Sequence, residues 1–151
     1  MTEKEFHDSL VAPIQFSMSV SKIAVDRAAN DRVKEFAHFE LAETIAITTV
    51  LKTIETIFPE MDEETKKLFI EIESTAAGDS FDKLYIQSQL KNHRLLRDLT
   101  EDYLNEAPTG QLDKIEAEDK LIATLILPFL EEHVTITERL GKELGIEEHA
   151  L

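Results

Sequence analysis

Apolar residues recur every three or four positions along most of the chain, and they do not alternate with polar residues over any strand-length segment. This spacing predicts amphipathic helices, and Gly, Pro, Asn and Asp residues mark their ends. A short helix is predicted from the Asp62 cap to near "AAGDS". Four long helices are predicted over residues 7–29, 31–58, 79–106 and 112–144. The sequence therefore predicts one all-α domain covering residues 1–151.

The short third helix suggests how the four long helices are arranged. As a crossover from the bottom of helix two to the top of the next long helix, it makes the long helices run up, down, down, up. This is the order of a ferritin-like four-helix bundle with an additional short crossover helix. The sequence does not exclude a right-handed coil with a different helix order.

Polar residues interrupt the predicted apolar faces. Glu40 and Glu43 lie within the arc of helix two, and His93 lies at the edge of the face of the fourth helix. The first helix adds Ser17 and Ser21. In the last helix His133 falls within a predicted buried stripe of Ile122, Ile126, Phe129, Ile136 and Leu140.

Glu40, Glu43, His93 and His133 are predicted to share one layer of the bundle. At 1.5 Å of rise per residue, each lies roughly 15–20 Å from the same end. Buried carboxylates are costly unless they are paired or bind a cation, and oxygen and imidazole ligands suit zinc, manganese or iron. The first interpretation is a non-catalytic bundle whose buried polar network fixes helix register. The alternative is a degenerate metal-binding, redox or stress-protective bundle with a mononuclear site at these residues.

A classical di-iron centre does not match this sequence. Its template needs a Glu from each of two helices and a Glu-x-x-His pair from each of two others. The one such pair in a long helix, Glu35 and His38, is predicted to point outward. Nucleophile and phosphate-loop motifs are also absent, so we do not expect an enzyme.

Pro128 lies inside the last predicted helix, one turn before His133. A proline removes one backbone hydrogen bond and clashes with the preceding turn. We therefore expect a bend there that widens the bundle beside the polar layer.

The formal charge of −15 argues against binding to nucleic acid or to an anionic membrane surface. No apolar run is long enough to span a bilayer, and the start lacks a secretory signal. We expect a cytoplasmic protein as the sequence stands, or a periplasmic or envelope-associated one if a leader was removed. The charged stretches "EKEFHD" and "MDEETKK" are expected to be solvated helix faces. The sequence is compatible with a homo-oligomer, and it does not identify a protein partner.

The chain resembles a bacterial ferritin-like family of uncharacterised function, often labelled "predicted outer membrane protein". The likeness rests on "IAVDRAANDRVKEFA", on Phe81, Asp82, Tyr85 and His93, and on Leu127, Pro128, Leu130 and His133. The resemblance implies a ferritin-like bundle and, for many members, export. This chain departs from the family at Thr44, where a histidine is usual, and at Ser17 and Ser19, where acidic residues are usual.

Overall fold

The computed structural model describes residues 1–107 and 109–151. Over those residues the chain is helical and contains no strand, which confirms the all-α prediction. The helices are α1 (Glu3–Arg27), α2 (Asp31–Thr53), α3 (Glu63–Ser74), α4 (Asp79–Glu106) and α5 (Lys114–Glu143), followed by a 3₁₀ turn at Glu148–Ala150. No described helix is long and apolar enough to cross a membrane.

Local capping explains where the helices depart from the predicted bounds. α1 begins four residues early because Thr2 and Glu5 form a capping box, and Asp113 begins α5 in the same way. α2 ends at Thr53, five residues before the prediction. Glu55 takes a left-handed φ of 60°, and the Thr56 N–H bonds back to the Leu51 carbonyl, which closes the helix end.

Cross-helix contacts fix the directions of the four long helices. Phe6 stacks on Tyr103, whereas Ser21 bonds Tyr85, so α1 and α4 run in opposite directions. The Asn30 N–H donates to Asp82, and Glu40 lies beside His93, so α2 and α4 run in the same direction. The predicted parallel relation of these two helices is therefore present.

The bundle consists of two helical hairpins, α1–α2 and α4–α5, with α3 between them in the chain. The Arg27 guanidinium donates to the Glu73 and Thr75 carbonyls, so α3 ends beside the start of α2, which we call the upper end. The opposite end, where Phe6 meets Tyr103, is the lower end. The short helix thus returns the chain to the upper end, as expected of a crossover.

A polar layer separates two apolar clusters in the core. The upper cluster includes Phe16, Val20, Val33, Phe36, Phe81, Tyr85 and Leu140. The lower cluster includes Phe6, Leu10, Ile14, Leu51, Leu96, Tyr103 and Ile126. Between them lie buried Ser17, Glu40, Gln89, His93 and His133. The apolar clusters exclude water on both sides of this layer, which strengthens every electrostatic contact within it.

The predicted buried stripe of α5 is wrong at Phe129, and Ile136 is only half-buried. Phe129 is 44% exposed, and Leu130 is buried in its place, because α5 turns the Phe129 side toward a groove beside α2. His133 is buried, as predicted. α5 continues as a helix through Pro128, and the bend expected there stays a prediction.

Candidate metal centre

Glu40 on α2 is the hub of the polar layer. Its side chain is almost fully buried, yet both carboxylate oxygens have partners. Oε1 accepts the Ser17 hydroxyl of α1 at 2.7 Å. Oε2 lies 2.7 Å from His133 Nδ1 and 3.2 Å from His93 Nε2. One carboxylate therefore links all four long helices.

His133 on α5 lies between two carboxylates. Its Nδ1 faces Glu40, and its Nε2 lies 2.9 Å from Glu43 Oε2. Burial alone would lower the pKa of His133, but the hydrogen bonds and negative charges of Glu40 and Glu43 raise it to about 10. Without a metal, the imidazole is a cation at neutral pH.

The Glu40 carboxyl responds to the same contacts in the opposite sense. Burial by itself would raise its pKa, but the charge of His93 and hydrogen bonds from His133 and His93 outweigh burial. They hold the pKa of Glu40 well below its usual range, so this carboxylate is ionised.

A hydrogen bond to the backbone of its own helix fixes the orientation of His93 on α4. Its Nδ1 lies 2.7 Å from the Gln89 backbone carbonyl, and a carbonyl only accepts, so Nδ1 carries a proton. Nε2 therefore points at Glu40 and at His133 Nδ1, 3.3 Å away. In the metal-free cluster the proton on His133 Nδ1 lies among these three atoms, and a metal ion would take its place.

Two of the three distances between the inward atoms match those of ligands on one ion, and the third, between Glu40 and His133, is a shorter hydrogen-bond distance. Glu40 Oε2, His133 Nδ1 and His93 Nε2 form a triangle with sides of 2.7, 3.2 and 3.3 Å. Adjacent ligand atoms around a metal with bonds near 2.1 Å lie about 3.0–3.4 Å apart. Small adjustments of side chains already in place would suffice to hold a metal here.

A cavity of about 30 Å³ adjoins the cluster. This is more than the roughly 10–15 Å³ that a cavity needs to hold one water molecule. Site residues line one side, and apolar side chains including Ile14, Leu96 and Ile126 line the rest. An ion bound by three protein atoms would thus have room for one small additional ligand.

The structure brings together all four residues singled out in the sequence. Glu40, His93 and His133 point at one another, whereas Glu43 is half-buried and contacts only the outer nitrogen of His133. Ser17 joins the cluster, and Ser21 lies a turn higher, where its hydroxyl bonds Tyr85. As predicted, Glu35 and His38 are exposed.

The two departures from the resembling family leave no substitute ligand. Thr44 is buried, but its hydroxyl donates to the backbone carbonyl of Glu40 rather than to the cluster. Ser19 is only half-buried and takes no part in it.

The sequence does not predict a second, partly buried histidine–carboxylate cluster, which lies at the lower end of the bundle. His7 Nδ1 lies 2.8 Å from Asp119 Oδ1, and His7 Nε2 lies 2.7 Å from the Thr56 hydroxyl. The stretch "EKEFHD" was expected to be solvated, which is wrong for His7. The available signal was its neighbour Phe6, which begins the buried series continued by Leu10 and Ile14.

Comparison with known proteins assigns the chain to a family but identifies no protein of known activity that it resembles. No curated protein and no solved structure matches the chain. A family model described as "Domain of unknown function (DUF4142)" matches residues 1–140. With nearly its whole length matched, this chain belongs to the DUF4142 family.

Proposed function

We propose that this protein is a ferritin-like helical bundle that binds one divalent transition metal through Glu40, His93 and His133. The observation that carries the proposal is the convergence of Glu40 Oε2, His93 Nε2 and His133 Nδ1 in a buried layer, each within hydrogen-bond distance of the other two. The up, down, down, up course of the long helices and the sequence resemblance support the ferritin-like assignment.

The hydrogen-bond partners of the three ligand side chains also support the proposal. Histidines that bind metals usually donate their second ring N–H to a carboxylate or a carbonyl, which fixes the tautomer and the ring orientation. Glu43 offers such an acceptor to His133, and the Gln89 carbonyl offers one to His93. The Ser17 hydroxyl orients the second oxygen of Glu40 in the same way.

Charge also favours a dication. Glu40 and Glu43 supply two negative charges, which one divalent ion balances when both imidazoles are neutral. Two nitrogens and one carboxylate oxygen suit zinc, manganese or ferrous iron. The ion must displace the proton held by His133, so affinity should rise with pH up to about 10, where His133 titrates.

The competing interpretation is a metal-free network that fixes helix register. Its support is the position of His133, whose two nitrogens each have a carboxylate partner when the ring is a cation. Such a network needs no ligand, and it would make the protein a non-catalytic structural or interaction module.

Thermal unfolding of protein shown by elemental analysis to be metal-free separates the two interpretations. Zinc, manganese and ferrous iron should be added in separate experiments. A metal that binds the folded state at a hundredfold excess over its Kd stabilises it by about 2.7 kcal/mol. We expect a higher midpoint with at least one metal and a calorimetric stoichiometry of one ion per chain.

Matched histidine variants locate the effect. His133→Gln and His93→Gln should each abolish the metal-dependent shift, whereas His38→Gln, on the exposed side of α2, should keep it. Midpoints unmoved by all three metals would refute the metal site in favour of the network. A metal response retained in His133→Gln would place the ion elsewhere.

A further inference from the structure

One side of the bundle is open. α1 and α4 are joined along their length by the Phe6–Tyr103 stack and by side-chain hydrogen bonds near both Asn92 and Ser21. α2 and α5 approach each other closely at few points. Between them lies a groove of about 540 Å³, with an apolar floor that includes Phe36, Phe39 and Ile136.

Exposed apolar side chains continue beyond this groove, along the same flanks of α2 and α5 that line it. On α5, Leu121 and Leu125 lie two turns and one turn before Phe129, and they are 70% and 68% exposed. On α2, Phe39 is 60% exposed, and Val50 lies three turns further along the same flank. These side chains account for five of the eleven large apolar residues exposed in the described chain. A contiguous set of this kind marks an interaction surface.

The rim of the groove is acidic. Glu35, Glu43, Glu132 and Glu143 line it, against Arg32 and Arg139. Arg32 pairs with Glu143 at 2.7 Å, and Glu43 contacts His133, so Glu35 and Glu132 are the rim carboxylates left to meet a cationic partner, against Arg139. With a formal charge of −15 on the chain, electrostatics disfavour a second copy in the groove and favour a cationic occupant.

We propose that the groove between α2 and α5 docks a basic amphipathic helix of a partner protein. The apolar walls would take side chains spaced three and four residues apart, and the glutamates would pair with lysines or arginines beside them. Phe39 and Val50 are eleven residues apart on α2, which corresponds to about 16 Å of helix. A partner helix of three to four turns would cover the groove.

A synthetic probe tests this chemistry directly. It is a fluorescein-labelled, 18-residue helical peptide with leucines on one face and lysines on the other. Fluorescence anisotropy at physiological salt should show saturable binding. A scrambled peptide of the same composition, and one with glutamates in place of the lysines, should each bind at least tenfold more weakly.

Surface variants assign the binding to the groove. Phe39→Ser with Phe129→Ser removes two exposed side chains and should weaken binding at least tenfold, while circular dichroism confirms the unchanged fold. The matched control is Ile70→Ser with Leu95→Ser, at exposed apolar positions of α3 and α4 away from the α2–α5 side, and it should bind like wild type.

Three results would overturn the proposal. One is equal affinity for the scrambled peptide, and another is equal affinity in the Phe39/Phe129 variant. The third is a wild-type dimer in sedimentation that becomes a monomer in the Phe39/Phe129 variant, which would assign the groove to a second copy of this chain.

Discussion

Two buried carboxylates, in the polar layer and at the lower end, each face a histidine, yet their environments act on them in opposite ways. The pKa of Glu40 is held below its usual range, chiefly because two imidazoles overcome the cost of burial. The pKa of Asp119 is raised, because burial outweighs the single hydrogen bond from His7.

The number of donors explains the difference. Both oxygens of Glu40 have partners, whereas Asp119 Oδ2 is among the buried side-chain atoms without one in the described chain. The nearby Tyr103 hydroxyl also lacks a partner, and burial and the charge of Asp119 raise its pKa. A buried carboxylate is thus ready to bind a cation where several donors keep it ionised. At Asp119 the single histidine does not offset the effect of burial on the pKa.

The largest expected effect comes from neutralising each carboxylate in turn. Glu40→Gln should lower the free energy of unfolding by about 3 kcal/mol at pH 7, because His133 loses its buried counter-charge. Asp119→Asn keeps an acceptor for His7 and should cost less than about 1 kcal/mol. Urea denaturation measures both, with exposed Glu35→Gln as the control for α2. Equal costs at the two sites would break the comparison.

The pH dependence of stability is the next test. The folded pKa of His133, about 10, exceeds its ordinary value of 6.5, so its contribution is complete below pH 6.5 and is lost as the pH rises toward 10. Metal-free protein should lose about 2 kcal/mol of stability between pH 7 and pH 9. Denaturation in urea across that range measures the decline. His133→Gln should not show it, and a parallel decline in that variant would assign the loss to other groups.

A smaller effect is expected from the hydroxyl groups of the two clusters. Ser17→Ala removes a donor from ionised, buried Glu40 and should cost about 1.5 kcal/mol. Thr56→Val removes the hydroxyl beside His7, at a partly exposed site, and should cost about 0.5 kcal/mol. Ser9→Ala, at an exposed position of α1, is the control. A larger loss in Thr56→Val than in Ser17→Ala would reverse the ranking of the clusters.

The smallest effect concerns the turn that brings Thr56 to His7. Glu55 has a φ of 60°, which glycine adopts without the steric cost of a Cβ atom. Glu55→Gly should therefore stabilise the protein by about 0.5 kcal/mol, as measured by urea denaturation. Glu60→Gly, in the following linker, should not stabilise. A loss of stability in Glu55→Gly would show that the glutamate side chain makes a contribution larger than the backbone strain.

Helical periodicity was enough to predict the all-α fold and the common layer of Glu40, His93 and His133. Each helix buries one stripe, and equal counting from the helix ends puts these residues at one depth. Periodicity does not tell how far apart two helices lie. Phe129 was therefore assigned to the core, although the gap between α2 and α5 exposes it.

Phe6 marks the buried side of α1 next to His7, but the partners of His7 in the lower cluster cannot be found from any local pattern. His7 and Asp119 are 112 residues apart, and Thr56 reaches them from a turn whose left-handed residue is a glutamate. A glycine at position 55 would have marked the end of α2 in the sequence. Because position 55 is a glutamate, the sequence predicts that α2 continues to residue 58, with Thr56 inside the helix.

The division of the bundle into two hairpins has a consequence for folding kinetics. Glu40 belongs to the α1–α2 hairpin, and both histidines belong to the α4–α5 hairpin, so the cluster exists only after the hairpins dock. If docking follows the transition state, an ion held by the cluster slows unfolding and leaves the folding rate almost unchanged. The bound metal would then keep the hairpins docked by slowing their separation.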